Sequence, residues 1–314
     1  MTEQKTTAGE REPFHWQSAI SYKVLDRIVV RGYDVNELAG NISFAEMLFL
    51  VWKGEIPPKN VAQMLDALLV IFAEHAMSPS SASARFVMSG AGYIMPAMAG
   101  GILSIGFTHV DAHEAAEAWI NIVNLSKEKG WNIEEGADFL CKNVRSKEGK
   151  DLEFVKLFGD RNVLPGWHHP QHMKDLRAPR VIELAEQFGI AGDHVKMVQA
   201  IERATKKYWG RTIFMNIAGS IAASLVDMGL EPVECLALCA LSRSVSIVAH
   251  ACEEQTREKG WRASAQAKIV QPLDLALQKP EYYDGPPDRQ LPEERIVSPL
   301  TRAPYGYRKG MEWE

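Results

Sequence analysis

Apolar residues recur at helical spacing over most of the chain. Between Ser43 and Trp52, the residues Phe44, Met47, Leu48 and Val51 fall three and four positions apart, and Ser43 with Glu46 has the spacing of a capping box. Pro57-Pro58 ends that segment, because proline offers no N–H to a helix interior. A second amphipathic helix follows, with Val61, Met64, Leu65, Leu68, Leu69 and Phe72 on one face and a polar turn at Ser78-Pro79-Ser80 behind it. The period returns at Val195, Val198, Ile201 and Tyr208, after a charged, glycine-bearing stretch from Ser146 to Asp160 interrupts it. A long apolar helical pair from Gly219 to Glu253 breaks at Leu230-Glu231-Pro232. The stretch from Trp16 to Tyr33, with Ile28, Val29 and Val30, alternates instead and predicts a short strand pair. The rest of the chain reads as mainly helical.

From Ser80 to Gly106 the residues are dominated by Ser, Ala, Gly and Met, small side chains that let helices approach closely in a tight core or at a subunit contact. A buried dimer contact is expected there. Beyond Ala276 the chain turns to Pro, Tyr and charge and reads as an irregular arm. The 314 residues, 46% hydrophobic and 24% charged, can bury a substantial core, which excludes disorder as the dominant state. With 35 Lys and Arg against 40 Asp and Glu, no global basic field gathers nucleic acid or an anionic membrane. No stretch approaches about 18 uninterrupted apolar residues, so no membrane span is expected. The four cysteines, Cys141, Cys235, Cys239 and Cys252, form no C-x-x-C pair, and reduced thiols in a cytoplasm fit best; Cys235 and Cys239 share a helix face and read as core.

Five of the nine histidines fall in two groups, His109 with His113 and His168, His169 with His172. Histidines at i and i+4 share a helix face and, with Asp111 or Glu114, would make an N/O metal site, although no H-E-x-x-H signature supports one. The same imidazoles suit acid/base work near neutral pH, or donation to a developing oxyanion. Taken singly, each is more simply a surface or hydrogen-bonded core histidine. The loop Leu164-Pro165-Gly166-Trp167-His168-His169-Pro170 holds the turn residues that fix a backbone for ligand binding. Lys206, Lys207 and Arg211 are candidates for holding phosphates, or form a solvated helix end.

Taken together, several stretches resemble the citrate synthase superfamily from about Gly32 to about Arg289. RGYDVNELAGNISFAEMLFLVWKGEIP, Arg31 to Pro57, is similar to the family's RGYDIEELA segment and the GELP-ending helix after it. EHAMSPSSASAR, GFTHVDAHEA, LPGWHHP and DLRA stand in order where the family has its DHG, GPLHGGANEE, PGFGHRVY and DPRA segments. NIAGSIAASLVDMGLEP and LSRSVSIVAHACEE resemble its last two core helices. The resemblance implies a nearly all-α fold with a large domain, residues 1–112 and 220–314, and a smaller one, residues 113–219. It also implies a homodimer and a cleft acting on coenzyme A thioesters as substrates, with no metal. Carried over by position, His109 would hydrogen-bond the thioester oxygen and His169 would act on the carbonyl or tertiary hydroxyl oxygen. His75 would help hold a 2-oxo acid, and Arg177 and Arg243 would clamp its carboxylates. Arg211, Gly166 and His168 fall where the family holds the coenzyme.

The chain also departs from that pattern. Ala218 stands where the family has the aspartate that moves the proton on the thioester methyl carbon, and Val110 and Asp111 replace two glycines. Lys279 occupies the place of an arginine expected from the partner subunit, a replacement that is not conservative at a forked carboxylate site. Candidates to replace the missing aspartate are Asp111, Glu114, His168 or a bound water. The short chain and Ser78-Pro79-Ser80, which resembles the T-P-S of citryl-CoA lyases, favour retro-aldol cleavage of citryl-CoA or a similar 3-hydroxyacyl-CoA to acetyl-CoA and oxaloacetate or their analogues. A condensing enzyme with another substrate, and a catalytically impaired homologue that binds CoA or an acid, are the alternatives.

Overall fold

The structure, a computed structural model, describes residues 16–167, 174–260, 285, 286, 289 and 292–295. Residues up to Arg262 form one unit and Ala263–Glu314 another, the latter described only around a short 3-10 turn at Glu293–Arg295. The N-terminal part opens with a three-stranded antiparallel sheet, β1 (Ser21–Lys23), β2 (Ile28–Val30) and β3 (Tyr33–Asp34), in which Ser21 faces Val30 and Val30 faces Tyr33. The expected strand pair thus gains a third strand. Twelve α-helices follow among the described residues: α1 (Val35–Leu38), α2 (Phe44–Lys53), α3 (Lys59–Phe72), α4 (Pro79–Ala91), α5 (Ile94–Leu103), α6 (Ala112–Lys129), α7 (Ile133–Val144), α8 (Leu152–Phe158), α9 (Arg177–Gln187), α10 (Asp193–Trp209), α11 (Ile217–Asp227) and α12 (Pro232–Arg257).

Several boundaries are those written in the sequence. Ser43 and Glu46 exchange both hydrogen bonds of the capping box at the start of α2, which ends at Gly54 in the left-handed conformation that glycine tolerates. Residues 228–231, which include Leu230 and Glu231, separate α11 from α12, which begins on Pro232. The charged stretch from Ser146 to Asp160 is less irregular than its pattern suggests. It folds α8, capped by the Asp151 carboxylate on the Glu153 N–H and anchored by buried Phe154 and Phe158.

The core is centred on α11, whose residues Ile217 to Leu225 are all buried, and on Trp119 of α6, which donates from Nε1 to the Gly219 carbonyl at 3.2 Å. Met64, Leu65 and Leu68 of α3, Val198 and Ile201 of α10, and Cys235 and Cys239 of α12 complete it. Burial pushes the Cys239 thiol up to about 12 and raises that of Cys235 as well, so both act as small apolar residues. The small-residue stretch packs α4, α5 and α12 together within this chain. A Cβ on Gly101 would lie 2.8 Å from Ile247, and one on Gly100 would lie 2.7 Å from Val87. Among the described residues α12 alone is long and apolar enough to cross a bilayer; it is interrupted by buried Arg243 and packs into the core through Leu238 and Ile247.

Candidate active site

Six of the residues singled out in the sequence meet around one cavity of about 260 Å³: His75, His109, Asp111, Arg177, Ala218 and Arg243. They arrive from the loop after α3, the turn before α6, the start of α9, the start of α11 and the middle of α12. His168, His169, His172 and Lys279 lie outside the described residues. Arg211 lines a second cavity of about 150 Å³ with Arg145, and Trp167 borders both cavities.

His109 closes a tight turn in which it exchanges backbone hydrogen bonds with Gly106, at 2.8 and 3.0 Å. Val110 follows with a φ of 71°, a left-handed conformation costly for a β-branched residue, and α6 starts only at Ala112. His109 therefore does not share a helix face with His113, which pairs instead with Glu117 at 3.4 Å; the i, i+4 premise of a metal site there does not hold. The His109 Nε2 lies 3.1 Å from the hydroxyl of fully buried Ser80, in the first turn of α4. Ser80 in turn meets Ser78, and Ser81 donates to the Ala76 carbonyl. Burial and then the neighbouring Arg243 charge lower the His109 pKa, leaving a neutral imidazole at neutral pH.

Arg177 donates from Nε and Nη2 to the two oxygens of Asp175, at 3.0 and 2.9 Å. Burial raises the Asp175 carboxyl, but Arg177 and the backbone N–H groups of Arg177 and Ile217 outweigh it and hold the pKa below the ordinary value. That carboxylate ties the start of α9 to the start of α11. Arg243 is only 2% exposed and lies over the Phe72 ring at 4.5 Å, its pKa lowered by burial and by Arg177. Arg243 Nε and Nη1, Arg177 Nη1 and Trp167 Nε1 are buried with no hydrogen-bond partner among the described residues. Four donors without acceptors around one cavity are the local form of an anion site. The unused donors are visible only in the structure; an arginine inside the apolar run of α12 was their sole trace in the pattern.

Asp111 precedes α6 and accepts the Gly166 N–H on Oδ2 at 2.7 Å. Gly166, with a φ of 73°, gives its carbonyl to the Asn216 N–H at 2.9 Å. A Cβ there would lie 2.6 Å from the Gly219 Cα, so two glycines let the 164–167 loop rest on α11. Burial raises the Asp111 pKa and Glu114 adds to it, against hydrogen bonds from Gly166 and its own backbone. Lys207 leaves the phosphate-holding group: it pairs with Asp138. Lys206 lines a larger groove of about 670 Å³ between α9 and α10.

One cavity of this helical fold thus gathers a histidine of lowered pKa, guanidinium donors without partners among the described residues and a half-buried carboxyl. The chain belongs to the citrate synthase family, whose C-terminal domain matches residues 57–264. The citryl-CoA lyase from Hydrogenobacter thermophilus is 26% identical with a TM-score of 0.71, over 89% of this chain and 98% of that one. The same fold occurs in the ATP citrate lyase of Methanosaeta concilii in complex with (3S)-citryl-CoA, 19% identical, TM-score 0.62, over 87% of this chain and 43% of that one. It occurs also in the citrate synthase from Pyrobaculum aerophilum, 21% identical, TM-score 0.58, over 81% and 56%. No curated protein sequence matches the chain. The nearly all-helical fold expected from the resemblance is the one observed.

Proposed function

We propose that this protein is a carbon–carbon lyase for coenzyme A thioesters, cleaving citryl-CoA or a similar 3-hydroxyacyl-CoA to an acyl-CoA and a 2-oxo acid. The observation that carries the reading is the set of unpaired N–H groups on Arg243 and Arg177 beside neutral His109 in one cavity. Buried guanidinium donors without acceptors cost folding energy that a bound carboxylate offsets. The likeness to the lyase from Hydrogenobacter thermophilus favours cleavage over condensation.

In the reaction, Arg243 and Arg177 hold carboxylate oxygens of the acid half, with His75 beside them. We assign the tautomer in which His109 Nε2 accepts from the Ser80 hydroxyl 3.1 Å away, which leaves the ring's N–H on Nδ1 for the thioester oxygen as negative charge develops there. A neutral imidazole N–H suits that task because it is a weak acid, holding the enolate oxygen by a hydrogen bond without surrendering its proton to it. His169 takes the proton of the tertiary hydroxyl. Arg211, with Arg145 beside it in the adjoining cavity, faces the phosphates of the coenzyme. The active form is a homodimer.

Mixing the purified protein with citryl-CoA and following products by mass spectrometry tests the reading. Acetyl-CoA and oxaloacetate are expected, with turnover falling at least 100-fold in His109→Ala. A protein that neither binds nor cleaves citryl-CoA overturns it.

A further inference from the structure

We infer that Asp111 is the proton carrier at the reacting carbon, the group that protonates the thioester enolate in cleavage and removes the same proton in the reverse direction. The inference rests on the lyase reading above. Its basis is placement: among the described residues lining the catalytic cavity, Asp111 is the sole carboxyl, and it shares that cavity with His109 and Ala218. The start of α11 contributes Asn216, Ile217 and Ala218 to the lining, and none of these transfers a proton.

Glu114, in the first turn of α6, has a buried Oε2 without a partner among the described residues, but it does not line the cavity. Its role is electrostatic, since its charge favours the protonated form of Asp111. A carboxyl held by the Gly166 N–H has a fixed position, and burial keeps it readier to hold a proton than a surface aspartate. The same hydrogen bond ties the acid to the loop that closes the cavity with Trp167.

The base takes the hydroxyl proton, the O–H electron pair becomes the carbonyl, and the carbon–carbon pair moves into the thioester enolate. The enolate carbon then takes the proton of the Asp111 carboxylic acid, leaving a carboxylate. The proton held by the base returns to that carboxylate through solvent, and the acyl-CoA and the 2-oxo acid depart.

The test compares the full chain with Asp111→Asn, Asp111→Glu and Glu114→Gln. Two rates are read: citryl-CoA cleavage, and exchange of acetyl-CoA methyl hydrogens with deuterium in D2O, both by mass spectrometry. Asparagine keeps an acceptor for the Gly166 N–H, so the fold and the KM are expected to hold within about threefold while kcat and exchange fall at least 100-fold. Asp111→Glu should recover part of both rates, and Glu114→Gln should stay within tenfold of the parent. Asp111→Asn keeping more than a third of the parent's kcat or exchange, or Glu114→Gln falling as far as Asp111→Asn, overturns the assignment. If the parent exchanges methyl hydrogens but leaves citryl-CoA intact, the lyase reading fails while the exchange rates still decide Asp111. A parent that does neither overturns both.

Discussion

At the residue scale the site holds groups that oppose folding, and their removal should reveal it. Arg243 is nearly fully buried with two N–H-bearing atoms that find no partner among the described residues, an arrangement that apolar replacement relieves. Arg243→Met, similar in length and able to pack on Phe72, should be neutral or stabilising by about 1–3 kcal/mol in urea unfolding while citryl-CoA cleavage is lost. Destabilisation by Arg243→Met would show that the cation is paired in the folded protein. Asp111 has the same character with a definite sign in pH. Its folded pKa lies above the 3.8 of an ordinary aspartate, so the folded chain binds more protons than the unfolded one above pH 3.8. Stability therefore falls as pH rises from there through the raised value, and the penalty persists at neutral pH. Asp111→Asn should unfold at a higher temperature than the parent at pH 7, with the gap closing towards pH 3.8. His109 titrates in the opposite sense, its lowered pKa costing stability as pH falls below 6.5, but it is common to both proteins and cancels in the difference.

At the element scale the site depends on how α9, α10 and α11 are pinned. Asp227, at the end of α11, accepts the backbone N–H groups of Gly192, His194 and Val195 and the His194 Nδ1, so one carboxylate caps α10 and fixes it to α11. Asp227→Ala should cost about 2 kcal/mol or more, because it strands buried donors as well as removing a cap. Gly219→Ala acts at the other end of α11, where the added Cβ would lie 2.4 Å from the Gly166 carbonyl oxygen. It should cost about 1–3 kcal/mol and lower kcat, by pushing the 164–167 loop and its hold on Asp111 away from the cavity; thermal unfolding and turnover check both variants. What the sequence made legible here was periodic or capped: Ser43 with Glu46, Pro232, and the apolar face of α10. The Asp151 cap of α8 was missed, because seven residues give too short a period to stand out in a charged stretch. The spacing of His109 and His113 misled for a different reason. Val110 takes a positive φ that no pattern of side chains announces, and the helix begins three residues after His109 rather than including it. The orphaned donors of Arg243 were likewise hidden, since pattern reports burial but not partnership.

At the scale of the whole molecule the apolar surface argues for a second copy. Phe86 on α4, Met95 and Leu103 on α5 and Val245 on α12 are 64, 69, 83 and 68% exposed, on three helices that pack against one another. Large exposed apolar side chains on helices that pack together are the kind of residue that a second copy would cover, in line with the proposed homodimer. The small residues of the same helices serve the internal packing, with Gly100 against Val87 and Gly101 against Ile247, while the larger apolar side chains stay exposed. Arg243 and Val245 sit two residues apart on α12, which places the guanidinium proposed to hold the acid and an exposed apolar side chain on one helix. Loss of the partner should therefore weaken substrate binding as well as assembly. In sedimentation the parent chain should run at about twice its 35.0 kDa mass, and Met95→Glu with Leu103→Glu should run near 35.0 kDa with helix content retained and a raised KM for citryl-CoA. A parent that sediments as a monomer at working concentration, or a double variant that stays dimeric with unchanged KM, would remove this face from the assembly and the assembly from the chemistry.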